Sequence, residues 1–127
     1  MDYLEKFNQT FVELMDDLQG TFPHDPDFQL YGIGLRAAVL AGPQIVQDKF
    51  HRRICLPFGD KILAKDEAFF LENTFEDVQQ EFSEAARMIL KVKQYWADLS
   101  AADREMLWKY FQVLVRLDRK IAASAGA

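Results

Sequence analysis

The residues with most chemical potential sit in one short stretch. Cys55 is the single cysteine and His51 is one of two histidines. Four residues apart on a helix they share a face, and an imidazole beside a thiol is the start of a nucleophile–base pair. A lone cysteine between Ile54 and Leu56 is more often a small buried hydrophobe, however, and these neighbours favour that reading. His24 belongs to His24-Asp25-Pro26-Asp27, which lacks the alternating oxygen ligands and the glycine of a calcium loop. Neither histidine lies in a Glu-x-x-His or His-x-x-x-His arrangement. From sequence, then, no catalytic residue, no metal and no cofactor is predicted.

Other groups could bind rather than react. Lys49, His51, Arg52 and Arg53 surround Phe50, so phosphate contact with base stacking is conceivable. Asp48 and Asp60 lie close by and the chain carries a net charge of −5, which disfavours nucleic acid. Asp16 and Asp17 fall near the negative end of the first predicted helix, where carboxylates are mildly unfavourable. Something basic must compensate, within the fold or on a partner. Lys49, Arg52, Arg53, Asp16 and Asp17 are therefore the candidate partner-binding residues. The carboxylates Asp66, Glu67, Glu72, Glu76 and Asp77 could hold a general acid–base pair. In the helix predicted to follow, acids come first (Glu76, Asp77, Glu81, Glu84) and bases later (Arg87, Lys91, Lys93), an order that suits the helix dipole and a solvated face. Phe69, Phe70, Trp96, Trp108 and Tyr110 could line an apolar pocket. That is the alternative reading, an enzyme or small-ligand carrier.

The elements that must position these groups are helices. From Met106 to Leu117 nearly every side chain is large and apolar, with Glu105, Lys109, Gln112, Arg116 and Lys120 forming one polar stripe. A helix apolar around most of its circumference must be surrounded by others. This is the predicted central helix, running over 101–121 with Ser100 and Asp103 as a capping box. Leu4, Phe7, Phe11, Leu14 and Leu18 give a first amphipathic helix over 2–19, stopped at Gly20. Asp25 and Pro26 open a second over 26–41 with Phe28, Tyr31, Leu35, Ala38 and Val39 inward, where Gly32 and Gly34 allow close helix approach. Gly42-Pro43 starts a third over 43–55, ended by Leu56-Pro57-Phe58-Gly59. One or two helical turns are expected in 60–73. Thr74 caps a long helix over 75–98 with the seam Phe75, Val78, Phe82, Ala85, Ile89, Val92 and Trp96. Alternation of apolar and polar residues is missing, so no strand is predicted. The expected architecture is one all-α domain over 1–121, a bundle of five or six helices around the hydrophobic C-terminal one, with a flexible tail at 122–127.

Charge is segregated along the chain. Residues 1–30 carry seven acids and one base, 31–65 six bases and two acids, 66–85 seven acids alone, and 86–127 eight bases and four acids. Such blocks can neutralise one another inside a bundle or face outward and steer a partner. The second case is the expectation, so association should weaken as salt rises and on Arg52→Glu with Arg53→Glu. No apolar run approaches the ~20 residues of a membrane span. The acidic opening Met1-Asp2-Tyr3-Leu4-Glu5 is unlike a signal peptide, and a lone cysteine suits a reducing, cytoplasmic setting.

Three stretches carry a resemblance: Phe22-Pro23-His24-Asp25-Pro26-Asp27-Phe28, the run Gly59-Asp60-Lys61-Ile62-Leu63-Ala64-Lys65-Asp66-Glu67-Ala68-Phe69-Phe70-Leu71, and Trp108-Lys109-Tyr110-Phe111-Gln112-Val113-Leu114. Together they resemble uncharacterised small helical proteins of large DNA viruses of algae and of related giant viruses, over residues 4–121. The resemblance implies a virus-encoded intracellular protein and carries no site residue with it. The function expected from sequence is a non-enzymatic helical module that binds a protein partner or a second copy of itself, because its apolar faces exceed what a small bundle covers. A nucleic-acid accessory role through the 49–65 basic segment is the weakest reading.

Overall fold

The structure, a computed structural model, describes residues 2–76 and 84–125. Every regular element in them is helical, as the patterning predicts. Helix α1 covers Tyr3–Thr21, α2 Pro26–Ala41, α3 Ile45–Phe50, α4 Leu56–Leu63, α5 Glu67–Glu72, α6 Glu84–Tyr95 and α7 Ala101–Ala125. A π-helical turn, His51–Cys55, joins α3 to α4, and a 3₁₀ turn, Trp96–Asp98, extends α6.

α7 packs lengthwise against α1 and also against α4. Leu107, Phe111, Leu114 and Val115 on α7 and Phe7, Phe11, Leu14 and Leu18 on α1 are all buried. Each fully buried side chain of this kind contributes about 1.5–3 kcal/mol relative to exposure. Phe50 closes that layer edge-on against Phe7 and Phe11, at ring distances of 5.3 and 6.1 Å. Gly59 lets α4 lie close to α7. A Cβ there would stand 2.8 Å from Arg119 Nη2 and 3.5 Å from Val115 Cγ1.

Several sequence expectations need correction. Pro57 does not end the third helix. It sits in the first turn of α4, just after the π-turn. A proline inside an α-helix meets the carbonyl four residues back and donates no hydrogen bond. The wider π-turn, closed by the Leu56 N–H to the His51 carbonyl, accommodates it and the chain stays helical. α4 ends instead at Leu63, and just past it Lys65, with a left-handed φ of 53°, lets its own N–H reach the Ile62 carbonyl and the Asp66 N–H the Lys61 carbonyl. That is a Schellman closure made without glycine. The last helix runs through Ala125, so 122–125 are helical rather than frayed. Of the 75–98 seam, Ile89, Val92 and Trp96 are buried as predicted. Val78, Phe82 and the side chain of Ala85 lie outside the described residues.

The α1–α2 loop is pinned to α6 by Asp25. Its carboxylate accepts from Lys91 Nζ at 2.8 Å, from Tyr95 Oη at 2.7 Å and, as the cap of α2, from Asp27 N–H at 3.0 Å. Lys91, then Tyr95 and the amide, hold this carboxyl down at about 2 against an ordinary 3.8. A lowered native pKa means the unfolded chain takes up the proton first as pH falls. Asp25 therefore supports the fold fully above about pH 4 and loses that support towards pH 2. Asp25→Asn should flatten the acid limb of stability between those values, checked by urea titrations across pH 2–5.

Gln112 also departs from the predicted stripe. It is buried, and its Nε2 donates to the Leu63 carbonyl at 3.0 Å. We expect Gln112→Ala to cost about 1–2 kcal/mol rather than nothing. Leu114→Ala, in the centre of the core, should cost about 2–5 kcal/mol. The two urea midpoints measured together check the rotation of α7.

Candidate functional site

Asp118 lies on the side of α7 that also carries Leu114, Val115 and Leu117, and it is fully buried. A carboxylate taken from water needs compensating donors. Gln47 Nε2 donates to its Oδ1 at 2.8 Å, and His51 Nδ1 lies 2.7 Å from Oδ2. The Cys55 sulfur lies within 4.8 Å of the same carboxylate and of the His51 nitrogen, and the Arg119 guanidinium acts on it with the opposite charge. Arg119 in turn donates to Asp60 at 2.7 Å.

The π-turn brings these groups into one row. An α-helix advances about 100° per residue, so four residues overshoot a full turn by ~40°. A π-turn advances ~82° per residue, and four residues fall short of a turn by ~30°. Gln47 to His51 is the first kind of step and His51 to Cys55 largely the second. The two errors cancel, and all three side chains face Asp118. In a uniform α-helix, Cys55 would stand ~80° away from Gln47.

The arrangement is not a nucleophile–base pair in its present form. Hydrogen bonds converge on Asp118 instead of linking His51 to Cys55. Burial first, then the Asp118 carboxylate, pushes the Cys55 thiol up to about 12, and Arg119 opposes this by less. A thiol so held has almost no thiolate at neutral pH. Cys55 is 4% exposed, which agrees with its assignment to the core. His51 is the part of the cluster that reaches solvent.

The predicted partner-binding residues are engaged within the chain. Asp16 pairs with Arg36, so the compensating base is internal. Asp17 accepts from the Tyr110 hydroxyl. Arg52 pairs with Asp48 four residues back, at 3.1 Å. Lys49 and Arg53 have interactions of their own. Arg104 with Glu67 joins the acidic 66–85 block to the basic C-terminal one, while Lys65 with Glu105 and Arg119 with Asp60 pair residues of the two basic blocks.

Four of the five predicted pocket residues do meet. Phe69, Phe70, Trp96 and Trp108 line an apolar cavity with Phe58, Phe75 and Phe111. Trp96 stacks edge-on to Phe70 and Trp108, and its Nε1 donates to Glu67 at 2.9 Å. Tyr110 is elsewhere, on the side of α7 that meets α1 through Asp17. The cavity measures about 40 Å³. That is room for little more than a water-sized group, against the ~300–1,000 Å³ of a small-molecule site. The rings pack on each other and leave little space for a ligand.

The outer face of α2 is the feature that residue-by-residue reading missed. Its inner face, Phe28, Tyr31, Leu35, Ala38 and Val39, is buried or half-buried as predicted. Opposite stand Leu30, 61% exposed, Ile33, 57% exposed, and Leu40, 88% exposed, with Ala37 exposed between them. The available signal was an apolar residue at nearly every position of 30–41. A helix apolar on both faces has one face too many for a single partner helix. Among the described residues, no helix is long and apolar enough to cross a membrane.

No protein-family model, curated protein or solved structure matches the chain.

Buried position and raised pKa together set the expected reactivity. Cys55 should label slowly with a thiol reagent in native buffer and at once in denaturant, read by mass spectrometry. Asp118→Ala strips Gln47 and His51 of their common acceptor, and we expect a loss of about 3–5 kcal/mol in urea titration. Arg52→Ala, on a solvated pair, should stay within about 0.5 kcal/mol.

Proposed function

We propose that the chain is a helical interaction module that pairs with a second copy of itself through the outer face of α2. The observation that carries this reading is the exposed row Leu30, Ile33, Ala37 and Leu40. Its spacing of three, four and three residues is the a/d repeat with which one helix seats against another. With Ala37, these side chains leave on the order of 400 Å² of apolar surface, as large as the functional patches of many monomers.

A second copy fits the row better than an unrelated surface does. Set two α2 helices antiparallel about a two-fold axis at Leu35. Leu30 then opposes Leu40 of the other copy, and Ile33 opposes its Ala37. Each large side chain meets a leucine or fills the space above an alanine, as an isologous interface requires. The row itself holds no charge. Arg36 beside it is tied down by Asp16. Two such faces with their rims bury roughly 1,000 Å², the lower end for specific complexes, so a weak and concentration-dependent dimer is expected.

The same reading settles what salt should do. With the charged blocks paired inside each monomer, association through α2 is apolar and should persist at about 0.5 M salt. Leu40→Asp or Ile33→Asp should weaken the dimer more than tenfold, because the two-fold places each new desolvated charge in the interface twice. Arg52→Glu with Arg53→Glu should leave it unchanged. Sedimentation equilibrium over a wide concentration range checks all three, with circular dichroism to show that each variant remains helical. A strict monomer at about 1 mM, or a dimer that salt and the arginine variant dissolve while Leu40→Asp does not, would exclude pairing through α2.

A further inference from the structure

The geometry points to a transition-metal site at the π-turn, in which His51 Nδ1, Cys55 Sγ and Asp118 Oδ2 hold one zinc ion with a fourth position left to water. The three donor atoms already lie within 4.8 Å of one another, the only such group among the described residues. Zinc takes nitrogen and oxygen at about 2.0–2.2 Å and sulfur at about 2.3 Å, which sets tetrahedral ligands ~3.3–3.7 Å apart. His51 Nδ1 and Asp118 Oδ2, now 2.7 Å apart, need open by less than about 1 Å. Side-chain rotation alone supplies that.

The surroundings are those of a ligand set rather than of a chance cluster. Gln47 holds Oδ1 of Asp118 and leaves Oδ2 directed at His51. Outer hydrogen bonds of this kind orient the carboxylates of metal centres. Arg119 reaches the Cys55 sulfur and is itself anchored on Asp60, a donor well placed to stabilise a thiolate. Charge balances as well. A thiolate, a carboxylate and a neutral imidazole around a divalent cation sum to zero, which suits a buried position. On binding, the imidazole adopts its Nε2–H tautomer and the thiol proton passes to solvent. A set of one sulfur, one ring nitrogen and one oxygen excludes calcium and magnesium, which take oxygen alone.

Two further observations fit such a site. Asp118 is a fully buried carboxylate beside Leu114, Val115 and Leu117, and replacing the whole set of Gln47, His51 and Asp118 by apolar side chains of similar volume is the kind of change that is often neutral or stabilising. The π-turn has Pro57 as its local cause, yet its effect is to aim His51 and Cys55 at the same carboxylate. Such turns recur at functional sites. Metal bound there would clamp the α3–α4 rod to α7.

The test uses untagged protein and cobalt(II) as the probe, with zinc(II) as competitor. We expect one cobalt per chain, a thiolate-to-metal charge-transfer band in the near ultraviolet, and displacement of both by an equivalent of zinc. Cys55→Ser and His51→Gln should weaken binding at least about 100-fold and abolish or shift the band, and Gln47→Ala should weaken it about 10-fold. Cys55→Ala, the mildest change at a buried site, guards against misfolding of the serine variant. Zinc should raise the melting temperature of the natural chain and not that of Cys55→Ala. Absence of the band at equimolar cobalt, or a band that survives in both cysteine variants, overturns the site and leaves a hydrogen-bonded core cluster.

Discussion

The packing of α7 along α1 is the constraint on which the other elements depend. α7 is apolar around most of its surface, so a single neighbour cannot cover it. α1 takes one side and the rod of α3, π-turn and α4 takes another. Gly59 faces α7, where a Cβ would displace the tip of the Arg119 side chain and touch Val115. The aromatic group of Phe70, Trp96 and Trp108 fills the far end, with Trp96 fully buried. Dispersion across so many close contacts explains why the cavity among those rings is small.

Asp118 is the exception on that apolar surface, and the helix opposite is built around it. Its carboxylate collects Gln47, His51 and Cys55 from one face of the α3–α4 rod. That convergence requires the π-turn, and the π-turn follows from Pro57. A local backbone restriction is thus converted into a side-chain alignment across two helices. The same alignment explains the unreactive thiol. The carboxylate that would orient a histidine in a catalytic triad here lies within 4.8 Å of the sulfur as well, and its charge opposes ionisation of the sulfur.

Much of the fold is legible from short-range pattern. Asp25 capping Pro26–Ala41, the inward face of α2 and the burial of Ile89, Val92 and Trp96 follow from helical period and capping chemistry. What escapes is non-local or conformational. Just past α4, Lys65 takes a left-handed conformation that favours glycine, so nothing at that position announces a stop. Pro57 reads as a breaker because an α-helix cannot hold it, whereas a π-turn can. The His51–Cys55 pair was visible as a spacing, but Asp118 lies more than sixty residues away and only packing brings it in. Tyr110 shares only its aromatic type with the tryptophans, and neither its own sequence neighbours nor those of Asp17 carry a signal of their pairing.

The segregated charges show how the two levels interact. Blocks of opposite sign along the chain suggest outward patches, yet the fold threads them so that acids and bases from different blocks meet. Asp16 finds Arg36, Asp25 and Asp27 find Lys91, Glu67 finds Arg104 and Asp60 finds Arg119. Most of these pairs are solvated and each contributes no more than about 1 kcal/mol. Their larger effect is on topology, since a swapped helix order would set like charges together. Beside these pairs, one uncharged part of the surface is broadly apolar. It lies on α2, whose second hydrophobic face has no counterpart among the described helices. The contacts that organise the monomer are therefore partly electrostatic, and the face they leave exposed on α2 is hydrophobic.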